Sequence, residues 1–253
     1  MILIGKKFIG NIPVLEVVQE KIEKNALPTV IYYHGFRGEK ESSLTLAYKL
    51  ASVGIRVILP DSPLHGERRN GVTENELNLS FWDIVTGNIE ELAEIKSFLE
   101  LEQLTVPGQI GIGGTSMGGI TTFGALRKYS WIKVAAVLMG TPKMREYAQT
   151  LIDGFNKTNE GKITEEKRDE VLHQLESYDL SIDSKQLQDR PLFIWHGEQD
   201  NVVPHEHSVD FYEKVKKSYK QSENIQMILE KDRAHHISRL SIEEAAKWFE
   251  EYL

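Results

Sequence analysis

A glycine-rich pentapeptide holds the serine best suited to act as a nucleophile. The sequence GTSMG at 114–118 places Ser116 in the pattern G-x-S-x-G, whose glycines leave room for a tight turn. The pattern alone is weak support, because about one chain in ten of this length contains it by chance. The flanking sequence gives stronger support, because the pattern of residues 109–112 predicts a strand before the pentapeptide and that of 117–129 predicts a helix after it. A serine at such a corner can attack a carbonyl group.

A phosphate-binding loop is the main alternative for this glycine-rich turn. A P-loop would carry a lysine, and 109–120 contains none. A dinucleotide-binding strand would normally come early in the chain rather than after residue 108. The helix after Ser116 also directs backbone N–H groups, and the positive end of its dipole, toward the place where an oxyanion would develop. The sequence therefore favours a serine nucleophile.

A serine nucleophile needs a base, and the base needs a carboxylate that orients it. After such a corner the acid comes first along the chain and the histidine second. Asp200 stands just beyond the carboxyl end of a predicted strand, where open α/β sheets place their sites, and Glu198 is the alternative acid. Two adjacent histidines, His235 and His236, follow the last predicted strand. They cannot both face the serine, and His235 is favoured because a small residue precedes it and an apolar residue stands two positions later.

Strands and helices alternate along most of the chain. Apolar segments that end at glycine- or proline-containing turns predict strands, and segments with helical spacing of apolar residues follow them. Strands are predicted at 29–33, 56–59, 109–112, 134–139, 191–195 and 224–229, and helices at 44–51, 81–101, 117–129, 209–219 and 241–253. Ser241 is the predicted N-cap of the last helix. This pattern is typical of an α/β protein with a mostly parallel central sheet and helices on both faces.

The alternation stops between residues 143 and 188. Two apolar stripes predict two helices there, formed by Tyr147, Leu151, Ile152 and Phe155, and by Val171, Leu172, Leu175 and Tyr178. A loop of this length without structure is uncommon in a compact domain. We therefore interpret 143–188 as a helical insertion within a single domain, 1–253. We expect the insertion to form a small cap over the active site, and surface decoration at the edge of the sheet is the alternative.

The composition excludes several classes of function. The chain has no cysteine, which rules out a cysteine nucleophile, disulfides and thiolate zinc sites. Its net charge of -8 disfavours nucleic acid and anionic membranes as partners. No apolar run approaches the roughly 20 residues of a transmembrane helix, and the first ten residues reverse the order of a signal peptide. We expect a cytoplasmic protein with a small-molecule partner, no cofactor and no metal; the sequence predicts no oligomeric state.

Taken together, these features resemble the α/β-hydrolase superfamily, particularly its small bacterial esterases related to the dienelactone-hydrolase and prolyl-oligopeptidase groups. The resemblance covers 29–253. Its markers are HGF at 34–36, PD at 60–61, HGER at 65–68, the serine pentapeptide, HGEQD at 196–200 and the late histidine. It implies an α/β-hydrolase fold, with the backbone N–H groups of Phe36 and Met117 as the oxyanion hole. Dienelactone hydrolases use a cysteine and prolyl oligopeptidases carry a propeller domain, and this chain has neither the cysteine nor room for the propeller.

The expected activity is that of a carboxylesterase-like serine hydrolase acting on small esters with short-to-medium acyl groups. Ser116, His235 and Asp200 would form the triad and an acyl-enzyme the intermediate. A thioesterase, an amidase or a small peptidase would use the same triad. A ligand-binding protein on a hydrolase scaffold is the alternative from another class, although a receptor has no need of all three residues.

Other polar and aromatic residues have structural interpretations. His34 is expected to make a structural hydrogen bond beside the oxyanion loop, and Asp61 to stabilise its turn. His205 and His207 stand two positions apart, a spacing that suits no single helix face, so they are interpreted as a solvated helix start. Trp82 is interpreted as a core residue.

Overall fold

The computed structural model describes residues 1–158 and 162–253, so three residues of the predicted insertion lie outside the described part. In those ranges the strands are β1 Ile2–Ile9, β2 Ile12–Gln19, β3 Leu27–Tyr33, β4 Arg56–Pro60, β5 Thr105–Thr115, β6 Val134–Leu138, β7 Leu192–Gly197 and β8 Ile225–Glu230. The helices are α1 Leu44–Ser52, α2 Glu74–Leu79, α3 Phe81–Leu101, α4 Met117–Lys128, α5 Met144–Thr158, α6 Glu165–Leu175, α7 His205–Val215 and α8 Arg239–Tyr252. None of these helices combines the length and apolar character needed to cross a bilayer.

The described strands form one sheet in the order β1-β2-β4-β3-β5-β6-β7-β8. Strands β3 to β8 run parallel to one another, whereas β1 and β2 form an antiparallel hairpin and β2 runs antiparallel to β4. The predicted α/β-hydrolase fold with a mostly parallel sheet is confirmed. The hairpin was not predicted, because Lys6 and Lys7 interrupt the apolar pattern of β1, and Pro13 and Glu16 interrupt that of β2.

Helices cover both faces of the sheet. Adjacent residues of β3 show the division, because Ile31 packs with α3, α4 and α7 in one buried cluster, while Val30 packs with α1 and α8 in another. This alternation follows from the pleat of a strand, which directs successive side chains to opposite faces. Both faces of the central strands are apolar because helices cover both. The carboxyl ends of the parallel strands lie together at one edge of the sheet.

The last helix begins earlier than predicted. Its N-cap is Ser238, whose side chain accepts a hydrogen bond from the backbone N–H of Ser241 at 3.1 Å. Ser241 Oγ in turn accepts from the backbone N–H of Ser238 at 3.0 Å, which completes a reciprocal capping box. The prediction of Ser241 as N-cap was therefore wrong by three residues. A serine at the third helical position replaces the usual glutamate, so the pattern S-x-x-E pointed to the wrong serine.

The segment after β6 contains the two predicted helices, α5 and α6. Buried side chains of both, including Tyr147 and Leu175, join a third cluster with Trp82 of α3 and Ile120 of α4. Helices α5 and α6 therefore pack over the helices that flank Ser116. The treatment of 143–188 as a cap inside a single domain, 1–253, stays a prediction.

Candidate active site

Ser116 stands at the corner between β5 and α4 in a strained conformation. Its φ is 54° and its ψ is -113°, and a positive φ is uncommon outside glycine. Two backbone hydrogen bonds hold the corner: Ser116 N–H donates to the carbonyl of Leu138 at 2.8 Å, and the Ser116 carbonyl accepts from Ile120 N–H at 2.9 Å. Backbone strain of this kind is kept only where the surrounding structure enforces it.

The two flanking glycines are sterically required. A Cβ atom on Gly114 would lie 2.2 Å from the backbone carbon of Gly118, and one on Gly118 would lie 2.2 Å from the carbonyl oxygen of Tyr33. Neither neighbour can move aside as a flexible side chain could, because both are backbone atoms. The pattern G-x-S-x-G thus has a direct steric cause at this corner.

The structure brings the three sequence-predicted triad residues together. Ser116 Oγ lies 2.8 Å from His235 Nε2, and His235 Nδ1 lies 2.7 Å from Asp200 Oδ2. These side chains follow β5, β8 and β7, whose carboxyl ends meet at one edge of the sheet. The alternative residues point elsewhere: Glu198 is exposed, and the exposed His236 has its Nε2 3.3 Å from Arg233 Nη1. The geometry therefore favours Asp200 and His235 over their neighbours.

Asp200 is held as a carboxylate by four donors. Its Oδ1 accepts from the backbone N–H groups of Val202 and Val203 at 2.9 and 3.0 Å, and its Oδ2 accepts from His235 and from His196 Nε2 at 3.0 Å. Burial raises the pKa of this carboxyl, but the hydrogen bonds from His196, His235 and Val202 outweigh it and bring the pKa well below its usual range. A charged Asp200 can fix the His235 tautomer and stabilise the imidazolium form.

Sequence reasoning gave no role to His196. This fully buried residue, near the end of β7, donates from Nε2 to both Asp200 and the carbonyl of Val203, each at 3.0 Å. It therefore supports Asp200 at Oδ2, the same carboxylate oxygen that contacts His235. The signals in the sequence were its position four residues before the acid, directly after an apolar strand, and its place in the HGEQD marker at 196–200.

The loop after β3 passes beside the nucleophile. A Cβ atom on Gly35 would lie 3.5 Å from Ser116 Cβ. The Gly35 carbonyl accepts from His34 Nδ1 at 2.8 Å and from Gly38 N–H at 3.0 Å. Because C=O and N–H point in opposite directions in a trans peptide unit, fixing the Gly35 carbonyl also fixes the direction of the Phe36 N–H. His34 is thus placed to position a predicted oxyanion donor.

Met117 supplies the other predicted oxyanion donor. It is the first residue of α4, so its N–H has no intrahelical carbonyl partner. The positive end of the α4 dipole lies at the same point and would favour negative charge there. The pairing of Phe36 and Met117 as an oxyanion hole stays a prediction.

His34 is a buried, neutral histidine. Its Nε2 accepts from Ser62 N–H at 3.1 Å, so the ring proton is on Nδ1, which donates to Gly35. Burial lowers the pKa of His34 from its ordinary 6.5 to about 4, although the hydrogen bond to Gly35 acts in the opposite direction. The expected structural hydrogen bond beside the oxyanion loop is confirmed.

Replacement of His34 with alanine is expected to lower kcat about 10- to 100-fold with little change in KM. The loss would arise because the peptide carrying the Phe36 N–H is no longer held, and a displaced oxyanion donor acts mainly on the transition state. His34→Asn is the matched control, because its amide N–H can replace Nδ1 toward Gly35, and it should restore much of kcat. Ester hydrolysis over a range of substrate concentrations measures both constants, and equal kcat in all three proteins would contradict the role.

The same variant has a second readout, the pH dependence of stability. Between pH 6.5 and about 4 the unfolded chain protonates His34 while the folded chain keeps it neutral. The unfolded state then binds more protons, so the stability due to His34 is lost as pH falls through this window. His34→Ala should flatten the dependence of the free energy of unfolding on pH by up to about 1.4 kcal/mol per pH unit. Urea unfolding at several pH values would show this change.

Asp61 has the turn-stabilising role that the sequence predicted. Its Oδ1 accepts from the backbone N–H of Lys40 at 2.9 Å, and its Oδ2 accepts from Lys40 Nζ at 2.6 Å and Glu67 N–H at 3.0 Å. These bonds join the loop after β4 to the loop that carries Phe36. Asp61 is therefore committed to loop structure rather than to a second acid function.

One structural interpretation was wrong. His207 is buried rather than solvated, with Nδ1 2.9 Å from Thr141 Oγ1 and Nε2 3.4 Å from a carboxylate oxygen of Glu146. The cause is the start of α7 at His205, which turns the third helical residue toward the core and α5. The predicted helix began four residues later and left His207 outside it.

A cavity of about 660 Å³ opens at Ser116. Its walls include Phe36 beside the nucleophile, Trp82 of α3 and the inner sides of α5 and α6. Trp82 is a mostly buried core residue, as predicted, and it also forms part of this wall. The volume falls in the range of roughly 300 to 1,000 Å³ that is typical of small-molecule sites.

Known proteins resemble this chain in sequence and in fold. Residues 86–253 match the prolyl oligopeptidase family. The chain is 42% identical over 255 residues to "Putative esterase YitV" of Bacillus subtilis (strain 168), with 100% of both chains covered. It is 31% identical over 209 residues to "Esterase YjfP" of Escherichia coli (strain K12), with 83% of each covered. Among solved structures, TT1662 from Thermus thermophilus shares the fold with a TM-score of 0.79 and 18% identity, over 100% of this chain and 98% of that one.

Proposed function

Because this chain belongs to the prolyl oligopeptidase family of α/β-hydrolases, we propose that it is a serine esterase for small esters with short-to-medium acyl groups. The observation that carries the proposal is the continuous hydrogen-bond path from Ser116 through His235 to Asp200. That path is what a serine needs to become a nucleophile near neutral pH. The two relatives named as esterases support ester substrates.

In the first half of the reaction, Ser116 becomes acylated. His235 Nε2 accepts the hydroxyl proton as Oγ attacks the ester carbonyl, and the carbonyl oxygen gains a negative charge. The N–H groups of Phe36 and Met117 would bind this oxyanion. As the tetrahedral intermediate collapses, the bond to the alcohol oxygen breaks, and His235 gives its proton to the leaving alcohol. The acyl group remains as an ester of Ser116.

In the second half, water replaces the alcohol. His235 accepts a proton from the water as its oxygen attacks the acyl carbon, and the same two N–H groups would bind the new oxyanion. Collapse breaks the bond to Ser116 Oγ, which recovers its proton from His235, and the carboxylic acid leaves. Asp200 stays ionised throughout and stabilises the imidazolium in each half.

Amide or peptide hydrolysis is the second candidate, and the family match favours it, since the family is named for an oligopeptidase. A p-nitrophenyl ester, a matched thioester and a p-nitroanilide with one common acyl group separate these activities. We expect kcat/KM for the ester to exceed that for the anilide by at least about 1,000-fold, because the poorer leaving group of an amide needs stronger transition-state stabilisation. Anilide or peptide turnover within about tenfold of the ester would favour the peptidase instead.

A further inference from the structure

The cavity at Ser116 has an aromatic and aliphatic wall. Four rings form a chain of edge-to-face contacts along it, with centroid distances of 5.3 Å for Phe36 to Phe81, 5.0 Å for Phe81 to Trp82 and 6.2 Å for Trp82 to Tyr147. Aliphatic side chains of α4, α5 and α6 complete the wall: Ile120, Leu151, Ile152 and Val171. Covering such a surface with an apolar group lowers the free energy, whereas leaving it in contact with water is unfavourable.

Charge is nearly absent from this wall. Among the described lining residues only Lys167 carries a charge, and its Nζ pairs with Glu170 at 3.0 Å. Apart from Lys167, an ionised group inside the cavity would find no counter-charge among them, so burying it away from Lys167 would be unfavourable. The occupant is therefore uncharged along most of its length.

The reaction geometry distinguishes the acyl side of the ester from the alcohol side. His235 must protonate the leaving alcohol, so the alcohol lies beside the imidazole ring. Ser116 and Phe36 line the cavity, and His235 is not among the described residues that do so. The acyl group stays bonded to Ser116 after the alcohol leaves. A cavity whose described wall includes Ser116 but not His235 is thus placed for the acyl chain.

Building on the proposed function, we infer that this cavity is an acyl site, selective for uncharged apolar acyl groups of about six to ten carbon atoms. A methylene group takes up about the volume of a water molecule, roughly 30 Å³, so an eight-carbon chain needs roughly 240 Å³. The cavity of about 660 Å³ has more than twice that volume, so it can hold such a chain. An acetyl group would leave most of the apolar wall in contact with water.

Gly154 offers a way to narrow the cavity without disturbing the fold. It lies in the interior of α5 and lines the cavity, and a Cβ atom there would meet no described atom within 4 Å. Glycine is disfavoured inside helices, so helix formation does not explain its presence. A larger side chain at this position would enter open space at the cavity wall and would also favour the helix.

The test is a pair of ester series on the purified protein. With p-nitrophenol as the fixed alcohol, kcat/KM should rise at least tenfold from butanoate to octanoate, since each buried methylene can contribute up to about fourfold. With butanoate as the fixed acyl group, kcat/KM should change less than threefold from ethyl to octyl esters. Dependence on alcohol length alone would overturn the acyl-site assignment while leaving the esterase intact. Failure to hydrolyse any ester would overturn the proposed function itself.

Gly154→Leu sharpens the test. We expect it to lower kcat/KM for octanoate at least tenfold and for butanoate less than threefold. Asp153→Leu is the matched control, because it adds the same side chain to an exposed position of α5 that is not among the described lining residues. Equal losses on both esters, or the same chain-length profile in Gly154→Leu as in the unchanged protein, would contradict the proposal.

Discussion

Replacing Ser116 with alanine is expected to lower kcat/KM for a p-nitrophenyl ester by about 10⁴- to 10⁶-fold. The substitution removes the attacking oxygen, so the acyl-enzyme path closes and only binding and oxyanion stabilisation remain. The fold should persist, because alanine at this positive φ is under about the same backbone strain as serine, and the flanking glycines are unchanged. Steady-state ester hydrolysis and circular dichroism of the two proteins make the comparison.

A neighbouring hydroxyl provides the control for Ser116→Ala. Thr115 Oγ1 lies 2.8 Å from the hydroxyl of Tyr32, on a different hydrogen-bond path from that of His235. Thr115→Val removes a hydroxyl one residue away, and its kcat/KM should stay within about tenfold of the unchanged protein. Turnover by Ser116→Ala within that same range would rule out Ser116 as the nucleophile.

Replacing Asp200 with asparagine is expected to lower kcat by about 10³- to 10⁴-fold. The side chain keeps its shape, but its amide can no longer hold the proton on His235 Nδ1, and the other tautomer cannot accept the Ser116 proton. The surroundings add to the effect. All four groups that face the carboxylate are donors, so either orientation of the amide sets an NH₂ group against an N–H. Some loss of stability should accompany the loss of kcat.

Glu198 is the natural comparison for Asp200, because it stands in the same turn and was the alternative acid. Its backbone N–H donates to the carbonyl of Glu230 at 2.9 Å, and its side chain is exposed. Glu198→Gln should therefore retain kcat within about threefold. A large loss in Glu198→Gln together with full activity in Asp200→Asn would transfer the acid role to Glu198.

Local patterns were sufficient to predict the central part of the fold. Each buried parallel strand is apolar on both faces and ends at a turn, which makes it visible in sequence without knowledge of its neighbours. The hairpin of β1 and β2 lacked this signal, because β1 is an edge strand with exposed lysines and its pairing depends on contacts with β4 through β2. The ends of helices were less predictable. At the start of α8, Ser238 and Ser241 belong to one capping box, and the sequence alone did not show which of the two is the N-cap.

The candidate site was predictable where chain order carries the information. Ser116, Asp200 and His235 were selected from their positions after the carboxyl ends of three strands, and the sheet brings those positions to one edge.

The role of His207 was not predictable, because only tertiary packing brings Thr141 and Glu146 near it. The role of His196 was missed although its partners, Asp200 and Val203, follow in the same turn, because its hydrogen bonds depend on the path of that turn. The cavity wall could not be predicted for a similar reason. The apolar stripe of α5 is typical of any packed helix, and only its position opposite α3 and α4 makes it the wall of a cavity.

A fluorophosphonate reacts far faster with an activated serine than with an ordinary hydroxyl group, so the residue that carries its adduct identifies the nucleophile most directly. Treatment of the folded protein, followed by proteolysis and mass spectrometry of the peptides, should place one adduct on Ser116, with ester hydrolysis lost in proportion. Ser116→Ala should take up no label under the same conditions. An adduct on a different residue, or equal labelling of Ser116→Ala, would contradict the assignment of Ser116 as the catalytic serine.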